Sequence, residues 1–585
     1  MTPSLRLLAL ATTTAIACND VTPPTSVVTA PPPSSTVGGT IKLEAAASDD
    51  SAVARVEMMI DGKLVATEKE TPYSATFDTK TLQDGAHTLV AIAFDEKGNK
   101  TASAPVSFSV KNVVQPPVDP PTPPVAGWTD FKLAPDAIKI HVSSSLGLDS
   151  NDGSESKPLK TLKAAYSKLR NGKPDHLVLK RGDTFKEAFP YWEKSGRSAT
   201  EPMVIGAYGA GTARPVVSSD GNVLSTRSNI SFIAVQGLRF TSLNREPGSS
   251  TFNTNVSSDA AIRWMSRGQF LLLEDMLIDF HRVGIVSEQP EAQMEGAPKG
   301  WTKCASYFKN LKIRRSVIAN NWSYPSTTEA RKGGHSQGAY LQCVDGLTME
   351  ENFWDSNGYH KAVSGAVPTQ FNHNVYLNAK SKNVVAKGNV FSRGAATGIQ
   401  VRTGGIFENN LVVQNPQGIT YGIVRGGNNP EDPQVVQGGV TGTIKGNVFL
   451  EGVDLDANNP RALAAQIGNL KDVEMSDNVF AHYSHIGKPY NHGSVAIDCG
   501  NGIGLGKLVM KNNATWKWEP WLTTSGPCKN KPEESGTVKT KAMEKKLADY
   551  APDFFEGARK QSRLTWNQKY TATEAVKYFR AQFGK

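Results

Sequence analysis

Polar and aromatic residues recur along the middle of the chain in a pattern that could act on a sugar polymer. Four short segments, 339–343, 374–378, 398–402 and 419–423, alternate apolar and polar positions. Alternate side chains of a strand point to opposite faces, so the polar positions should share one outer surface. We call this surface the polar stripe. Its predicted members are Tyr340, Gln342, Tyr376, Asn378, Gln400, Arg402 and Tyr421.

The loops that enter the polar stripe add histidine and further cationic residues. His335, His360 and His373 fall within 40 residues of one another, and Lys361 follows His360 directly. One histidine alone is more often structural than catalytic, but three that enter one face favour a site. Arg425 follows the last segment and is predicted to bind substrate.

Residues of these types suit β-elimination on a polymer of uronic acids. That reaction needs a group that neutralises the carboxylate, a base that removes the adjacent proton, and an acid for the leaving oxygen. Arg402 is predicted to bind the carboxylate with its two-pronged guanidinium. His373 or Lys361 is the predicted base and Tyr376 the predicted acid, with His335 also in the catalytic set. The residues predicted to bind substrate are Tyr340, Gln342, His360, Asn378, Gln400, Tyr421 and Arg425.

A repeated unit predicts the elements that position this stripe. The unit alternates apolar and polar residues and then has Asn followed by an apolar or aromatic residue. Six copies occur, at 347–353, 384–391, 405–411, 444–449, 473–480 and 508–513, and two earlier variants without the Asn occur at 272–277 and 313–318. Turns of a coil with loops inserted on one side explain the variable spacing, and the Asn fits a ladder of stacked amides. The sequence therefore predicts an all-β fold, a right-handed parallel β-helix.

Two segments resemble secreted β-helix proteins of the pectate-lyase-like superfamily. Residues 140–169 pair a strand with an amphipathic helix, and 338–422 contain the NHNVY, GNVF and GIQVRTGG sequences. The resemblance implies that the helix covers the open end of the first coil and that the protein acts on polysaccharide. Many such lyases use calcium, but the stripe has few carboxylates, so we expect a metal-independent site with no cofactor. Ca²⁺ at the Asp149–Asp152 cluster stays an alternative to a side-chain-bonded turn.

The termini and linkers predict an exported protein with several units. Residues 1–18 read as a signal peptide of lipoprotein type with Cys18 lipidated, and Pro/Thr-rich linkers are predicted at 19–35 and 113–127. Residues 36–112 read as short alternating strands and resemble a bacterial immunoglobulin-like module. Residues 128–533 are predicted to form the catalytic β-helix and 534–585 a helical cap on its last coil. We expect an outer-membrane lipoprotein at the cell surface or in the periplasm, secreted if Cys18 is not lipidated.

Charge and cysteine content narrow the partners. Lys and Arg total 64 against 55 Asp and Glu, a formal charge of +9, which favours an anionic polysaccharide. No basic run indicates nucleic acid, membrane contact is expected only through a lipid anchor, and we expect a monomer. Cys499 and Cys528 are the favoured disulfide pair, whereas Cys304 and Cys343 would have to lie on neighbouring coils.

Three other functions remain open from the sequence. A glycoside hydrolase would need two carboxylates across the bond, with Asp259, Asp275, Asp279 and Glu288 as candidates. A C5-epimerase would use the same proton removal, and a glycan-binding surface protein would have no activity.

Overall fold

The computed structural model describes residues 20–112, 127–295, 302–324, 334–422, 435–456, 461–483, 495–499, 505–518, 533–539 and 545–585. The chain divides into two compact units, Met1–Pro120 and Pro121–Lys585. Each unit is built around its own hydrophobic core. In the described part of the chain, no helix is long and apolar enough to span a membrane.

The first unit is a small β-sandwich. One sheet contains Thr25–Ala30, Thr40–Ser48 and Tyr73–Asp78, and the other contains Thr36–Val37, Val106–Val110, Gly85–Asp95, Val53–Ile60 and Lys63–Glu68, with Lys100–Ala102 paired at its side. A short 3-10 turn lies at Thr79–Thr81. Leu43, Val56, Ala91 and Phe108 lie in the core between the sheets.

The predicted linker at 19–35 is wrong at residues 25–30. Residues 25–30 pair with the strand Thr40–Ser48, so the sandwich begins before residue 36. The Pro and Thr content of this segment predicted a spacer, but its TSVVTA sequence is rich in β-branched residues, which is typical of a strand. The second predicted linker, 113–127, lies almost wholly outside the described residues.

The second unit is a parallel β-helix with three sheets, which confirms the predicted fold. Sheet A contains Lys139–Val142, His176–Lys180, Met203–Tyr208, Ile233–Gln236, Gln269–Glu274, Phe308–Arg314, Val344–Glu350, Lys382–Lys387, Gly405–Glu408, Val440–Lys445, Leu470–Ser476, Leu505–Lys511 and Glu533–Ser535. Sheet B contains Thr184–Phe185, Val216–Ser218, Arg239–Thr241, Leu277–Asp279, Val317–Ala319, Phe353–Asp355, Val390–Ser392, Leu411–Val413, Val448–Leu450, Val479–Ala481, Ala514–Trp516 and Val538–Lys539. Sheet C contains Leu224–Thr226, Ala260–Trp264, Val283–Ser287, Gln337–Leu341, His373–Leu377, Thr397–Val401, Gln417–Tyr421, Leu463–Ile467 and Ile497–Asp498.

Inward side chains of successive coils stack on one another and form the core. In sheet C, Leu341, Leu377 and Val401 occupy equivalent register positions and are buried. Aromatic rings stack in the same way, with Phe449 and Phe480 at 4.9 Å between ring centroids. Complete burial of one such side chain contributes about 1.5–3 kcal/mol, so repetition over many coils stabilises the stack.

The predicted asparagine ladder lies at the bend between sheets A and B. The side-chain amide of Asn352 donates to Asn389 Oδ1 at 2.9 Å, and Asn389 donates to Asn410 Oδ1 at 3.0 Å. The ladder continues through Asn447, Asn478 and Asn513. The residue before each ladder position has a positive φ, which turns the chain sharply and aims the amide along the helix axis.

A helix covers the first coil, as predicted. Helix α1 (Leu162–Lys168) begins at Thr161, whose side chain accepts from the backbone N–H of Ala164. Its Leu162 and Ala165 side chains are buried in the core with Val142. This packing shields the apolar end of the stack.

The predicted cap on the last coil is wrong. The last coil continues to Lys539, and the tail that follows lies along the outer face of sheet B. The tail contains helices α2 (Leu547–Tyr550), α3 (Phe554–Arg559) and α4 (Ala572–Ala581), with a 3-10 turn at Gln568–Tyr570. Phe554, Val576 and Phe579 pack with sheet B residues such as Leu411 and Val448. Sheet B needs this cover because its outward positions are apolar as well as its inward ones. The tail therefore forms a lateral arm, called the C-terminal arm below.

The Cys304–Cys343 pair, which the sequence left open, forms a disulfide. Cys304, in the hairpin formed by Glu291–Gln293 and Thr302–Cys304, is bonded to Cys343 at the end of a sheet C strand. The pair has a Cα–Cα distance of 5.7 Å. Cys499 is also disulfide-bonded, whereas Cys528 and the predicted lipidation site Cys18 lie outside the described residues.

Candidate functional site

A cleft of about 450 Å³ lies on the outer face of sheet C. It crosses strands of four successive coils. The residues that line it are Arg263, Arg282, Val283, Val286, Glu288, His335, Gln337, Tyr340 and Tyr376. The cleft therefore occupies the lower half of the predicted polar stripe and extends toward earlier coils.

Strand register aligns the centre of the stripe. Tyr340 pairs with Tyr376, and Tyr376 pairs with Gln400, at outward positions of consecutive strands. The Tyr340 and Tyr376 rings meet edge to face with centroids 5.1 Å apart. The two rings form an aromatic floor of the kind on which sugar rings can stack.

Tyr376 lies between a histidine and an arginine. Its ring centroid is 5.6 Å from that of His373, and Arg402 Cζ lies 4.7 Å from the Tyr376 centroid, over the ring face. Burial raises the pKa of the Tyr376 phenol, and the positive charge of Arg402 offsets part of that rise. Tyr376 is therefore protonated at neutral pH and able to donate a proton.

Gln400 orients the Arg402 guanidinium. With its amide turned so that donor meets acceptor, the Gln400 side-chain oxygen lies 2.6 Å from Arg402 Nε and 2.9 Å from Nη2. Gln400 is largely buried, so the pair is firmly held. Its contact with Arg402 gives Gln400 a positioning role on the stripe.

Tyr340 is tied to the hairpin beside the cleft. Its hydroxyl donates to Gln342 Oε1 at 2.5 Å, and the Gln342 amide donates to Glu291. Lys380 Nζ binds the same Glu291 carboxylate at 2.6 Å. Gln342 was predicted to bind substrate, but it is buried and engaged in this network. Burial raises the pKa of the Tyr340 hydroxyl, and the neighbouring Asn378 side chain offsets a small part of that rise.

His373 lies beneath the floor of the cleft rather than in it. The backbone next to His373 packs closely on Gly338 of the preceding coil, because a Cβ at Gly338 would lie 2.4 Å from the Asn374 carbonyl oxygen. The His373 ring is 6% exposed, and its Nδ1 is buried with no hydrogen-bond partner. Burial, and after it the positive charge of Arg402, lowers the pKa of His373 to about 3. His373 is therefore neutral, lies beside Tyr376 and does not line the open cleft, where a base would have to meet the substrate.

His335 lines the cleft itself. Its ring packs against Phe371 with centroids 5.8 Å apart, and its backbone carbonyl accepts from Arg282 Nη1 at 3.0 Å. Arg282 and Arg263 both bind Asp259, at 3.0 Å and 2.5 Å. These contacts place an imidazole and two guanidinium groups on one side of Tyr376 and the guanidinium of Arg402 on the other.

Glu288 also lines the cleft, although the sequence placed it off the stripe. Burial raises the pKa of its carboxyl, Arg263 partly offsets the rise, and Glu291 adds to it. Burial also raises the pKa of Asp259, but Arg263 and Arg282 lower it more, so the net pKa is below its ordinary value. Glu288 directly follows the strand Val283–Ser287, which is the neighbour of Gln337–Leu341 in sheet C. This position in the sequence could have indicated that Glu288 lies near Tyr340.

One predicted stripe residue and two residues of the loops predicted to enter the stripe lie elsewhere. Tyr421 shares the inward register of Val401, is fully buried, and donates its hydroxyl to the Gly405 carbonyl at 2.6 Å. His360 packs against Phe280 with ring centroids 5.9 Å apart, in a loop toward sheet B. Lys361, next to it, is exposed and does not line the cleft. Arg425 lies outside the described residues.

Two hydrolase candidates and the calcium candidate have other structural roles. Asp275 binds Arg214 at 2.5 Å and Asp279 binds Arg239 at 3.0 Å, both outside the cleft. Asp149 accepts from the backbone N–H groups of Lys160 and Thr161 and thus closes a turn. Trp518 is buried and donates to the Ala462 carbonyl, and Trp516 packs with Tyr483, so both are packing residues as predicted.

Comparison with known proteins identifies the first unit. Residues 24–91 match the family described as bacterial Ig domain, so the N-terminal sandwich is a bacterial Ig domain, as its strands indicate. No curated protein matches the chain.

Several solved structures resemble parts of the chain. A fibronectin(III)-like module structure of Clostridium thermocellum CbhA is 28% identical over 16% of this chain and 48% of that one, with a TM-score of 0.14. This chain thus spans less than half of that structure. A rhamnogalacturonan lyase is 13% identical over 70% of this chain and 90% of that one, with a TM-score of 0.41. The GH136 lacto-N-biosidase from Eubacterium ramulus is 15% identical over 64% of this chain and 67% of that one, with a TM-score of 0.34. At these TM-scores function has to be inferred from the site.

Proposed function

We propose that this protein is a polysaccharide lyase that cleaves a uronic-acid polymer by β-elimination on the outer face of sheet C. The observation that carries the proposal is the setting of Tyr376. A protonated phenol lies under the guanidinium of Arg402 and in one cleft with the imidazole of His335. These are the three chemical groups that β-elimination requires.

Each group has one role in the reaction. Arg402 binds the uronate carboxylate and stabilises the negative charge that develops on it. His335 takes the proton from the carbon next to the carboxylate, and that electron pair forms the new carbon–carbon double bond. The bond to the leaving sugar oxygen breaks, and Tyr376 gives this oxygen a proton. The cluster of His373, Tyr340 and Gln400 holds the reacting side chains in place.

A screen of acidic polymers tests this proposal. Purified protein is incubated with alginate, pectate, glucuronan and glycosaminoglycans, and products are followed by ultraviolet absorbance, reducing ends and uronate composition. A lyase gives shorter chains that absorb because of the new double bond. New reducing ends without absorbance, changed composition without shortening, or no change would each contradict the proposal.

Hydrolysis is the second candidate, because Glu288 lines the same cleft with a raised pKa. A buried carboxyl of this kind suits a general acid. The lowered pKa of Asp259 would suit its partner, but among the described residues Glu288 is the carboxylate that lines the cleft. Hydrolysis therefore ranks below β-elimination.

A further inference from the structure

A second cleft adjoins the first across one shared arginine. It has a volume of about 630 Å³, and its walls come from the loop that precedes Ala260–Trp264 and from the segments around residues 323 and 334. Arg282 lines both clefts. A polymer bound over Tyr376 can therefore continue past Arg282 into this second space.

Arg245 forms the buried wall of the second cleft. The residue is 3% exposed, and its guanidinium lies over the Trp322 ring, with Cζ 3.9 Å from the centroid. Its N–H groups donate to the backbone carbonyls of Phe280 at 3.0 Å and Val256 at 2.8 Å, and to that of Trp322. The side chain is thus held rigidly by three separate segments.

The Arg245 guanidinium donates to backbone carbonyls and, among the described residues, to no carboxylate, although the charge of nearby Asp220 raises its pKa. Every hydrogen bond described for its guanidinium goes to a backbone oxygen. This differs from Arg263 and Arg282, which bind Asp259, and from Arg239, which binds Asp279. Burial lowers the pKa of Arg245 to about 10, still well above neutral, so the group stays charged. A buried cation of this kind favours an anion in the adjacent space.

Small polar side chains complete the second cleft. Thr254, Asn255 and Ser257 are exposed on its rim, and Ser258 Oγ lies 3.0 Å from His281 Nδ1 at its base. Hydroxyl and amide groups of this size bind sugar hydroxyls without filling the space. The described lining contains no carboxylate.

We infer that the second cleft is a subsite for another uronate residue of the same polymer, whose carboxylate is recognised by Arg245 and Arg282. The inference rests on the proposed function for its substrate class and extends it to binding beyond the reacting sugars. It predicts that long acidic chains bind better than short ones. It also predicts that esterified, neutral chains lose this advantage.

Two charge substitutions in one loop test the subsite. Asn255→Asp places a carboxylate on the wall of the second cleft with almost no change in size. Asn253→Asp makes the same change two residues away, outside the cleft lining, and keeps the oxygen that accepts the Asn255 N–H at 2.9 Å. Affinity for short and long pectate and alginate oligosaccharides is measured by calorimetry, and KM and kcat on the polymer that is cleaved.

Asn255→Asp should weaken binding of long oligosaccharides about five-fold and raise KM without lowering kcat. Binding of short oligosaccharides and of methyl-esterified pectin should not change, and Asn253→Asp should behave as wild type. Arg245→Gln, confirmed as folded by its melting temperature, should have the larger effect on long chains.

The outcomes separate this inference from the proposed function. If the protein cleaves acidic chains but Asn255→Asp and Asn253→Asp bind them equally, the subsite is overturned and the lyase proposal stands. If long acidic chains bind without being cleaved, and Asn255→Asp weakens that binding, the subsite stands and the lyase proposal fails.

Discussion

The outer faces of sheets B and C belong to the same coils but differ in what covers them. On sheet B, apolar residues such as Leu411 and Val448 lie under the C-terminal arm. On sheet C, Tyr340 and Tyr376 line an open cleft beside cationic groups. A parallel β-helix fills its interior with stacked side chains, so each outer face is free to specialise, one for stability and one for binding.

Polar groups on the two faces show the same contrast. Asp355 on sheet B is buried and accepts from Arg393 at 2.6 Å, from Arg559 Nε at 2.7 Å and from Ser392 at 2.7 Å. Burial raises the pKa of Asp355, but Arg559 and Arg393 lower it more, so it stays ionised. On sheet C, by contrast, the buried Nδ1 of His373 has no partner. The buried carboxylate on sheet B is thus fully satisfied, whereas the buried imidazole on sheet C is not.

The largest expected effect is a difference in kcat between substitutions of two tyrosines of sheet C. Tyr376→Phe removes the predicted proton donor and should lower kcat about 1000-fold. Tyr421→Phe removes a buried hydroxyl in the core and should leave kcat unchanged while lowering the free energy of unfolding by about 1 kcal/mol. Initial rates and urea denaturation measure both effects. Equal activity of the two variants would remove Tyr376 from the mechanism.

Arginine substitutions on the two faces should affect different quantities, activity on sheet C and stability on sheet B. Arg402→Gln should lower kcat/KM on the uronate polymer about 100-fold, because the carboxylate loses its cation, with little change in stability. The matched change Arg559→Gln leaves Asp355 with one guanidinium partner and should lower the free energy of unfolding by about 2 kcal/mol. Its kcat should equal that of wild type. A stable, fully active Arg402→Gln would contradict the proposed role.

Substitution in the asparagine ladder should have a smaller effect, on the stability of the coils. Asn410→Ala removes the acceptor of Asn389 and the donor to Asn447. Loss of these buried hydrogen bonds should lower the free energy of unfolding by about 1–3 kcal/mol, with kcat unchanged. Asn253→Ala, in an exposed loop, serves as the control, because it removes a solvent-exposed hydrogen bond from the Asn255 N–H instead of a buried one.

The last prediction concerns pH. His373 is neutral in the fold with a pKa of about 3, below its ordinary value of 6.5, so the unfolded chain binds a proton that the folded chain does not. Its contribution to stability is present above pH 6.5 and is lost as the pH falls toward about 3. His373→Gln should therefore lose less stability than wild type between neutral pH and about pH 4, measured by urea denaturation. Equal loss in both proteins would show that His373 is not buried and neutral.

The repeats predicted the coils well because they report local, periodic requirements. Alternation marks the inward residues and Asn352, Asn389 and Asn410 mark one bend, so the fold followed from the sequence. The outward direction of Tyr340, Tyr376 and Gln400 followed from the same alternation. The sandwich strand at 25–30 was missed because the prolines on either side of it dominated the composition.

Parts that depend on contacts between distant residues could not be predicted. The C-terminal arm lies against sheet B through residues more than 100 positions apart, such as Phe554 and Leu411, and no local pattern marks that contact. Tyr421 was misplaced because its polar hydroxyl was weighed above alternation: Ile419, two residues earlier, points inward, so Tyr421 does too. The sequence did not place Glu288 on the polar stripe. The long insertion between Val283–Ser287 and Gln337–Leu341 hid that these two strands are neighbours in sheet C.

The most direct measurement is a crystal structure of Tyr376→Phe with an acidic oligosaccharide from the cleaved polymer. The proposal predicts a sugar ring over Tyr340 and residue 376, with a carboxylate oxygen about 3 Å from the Arg402 guanidinium. His335 should face the carbon next to that carboxylate. An oligosaccharide bound on another face, or bound here with its carboxylate away from Arg402, would contradict it.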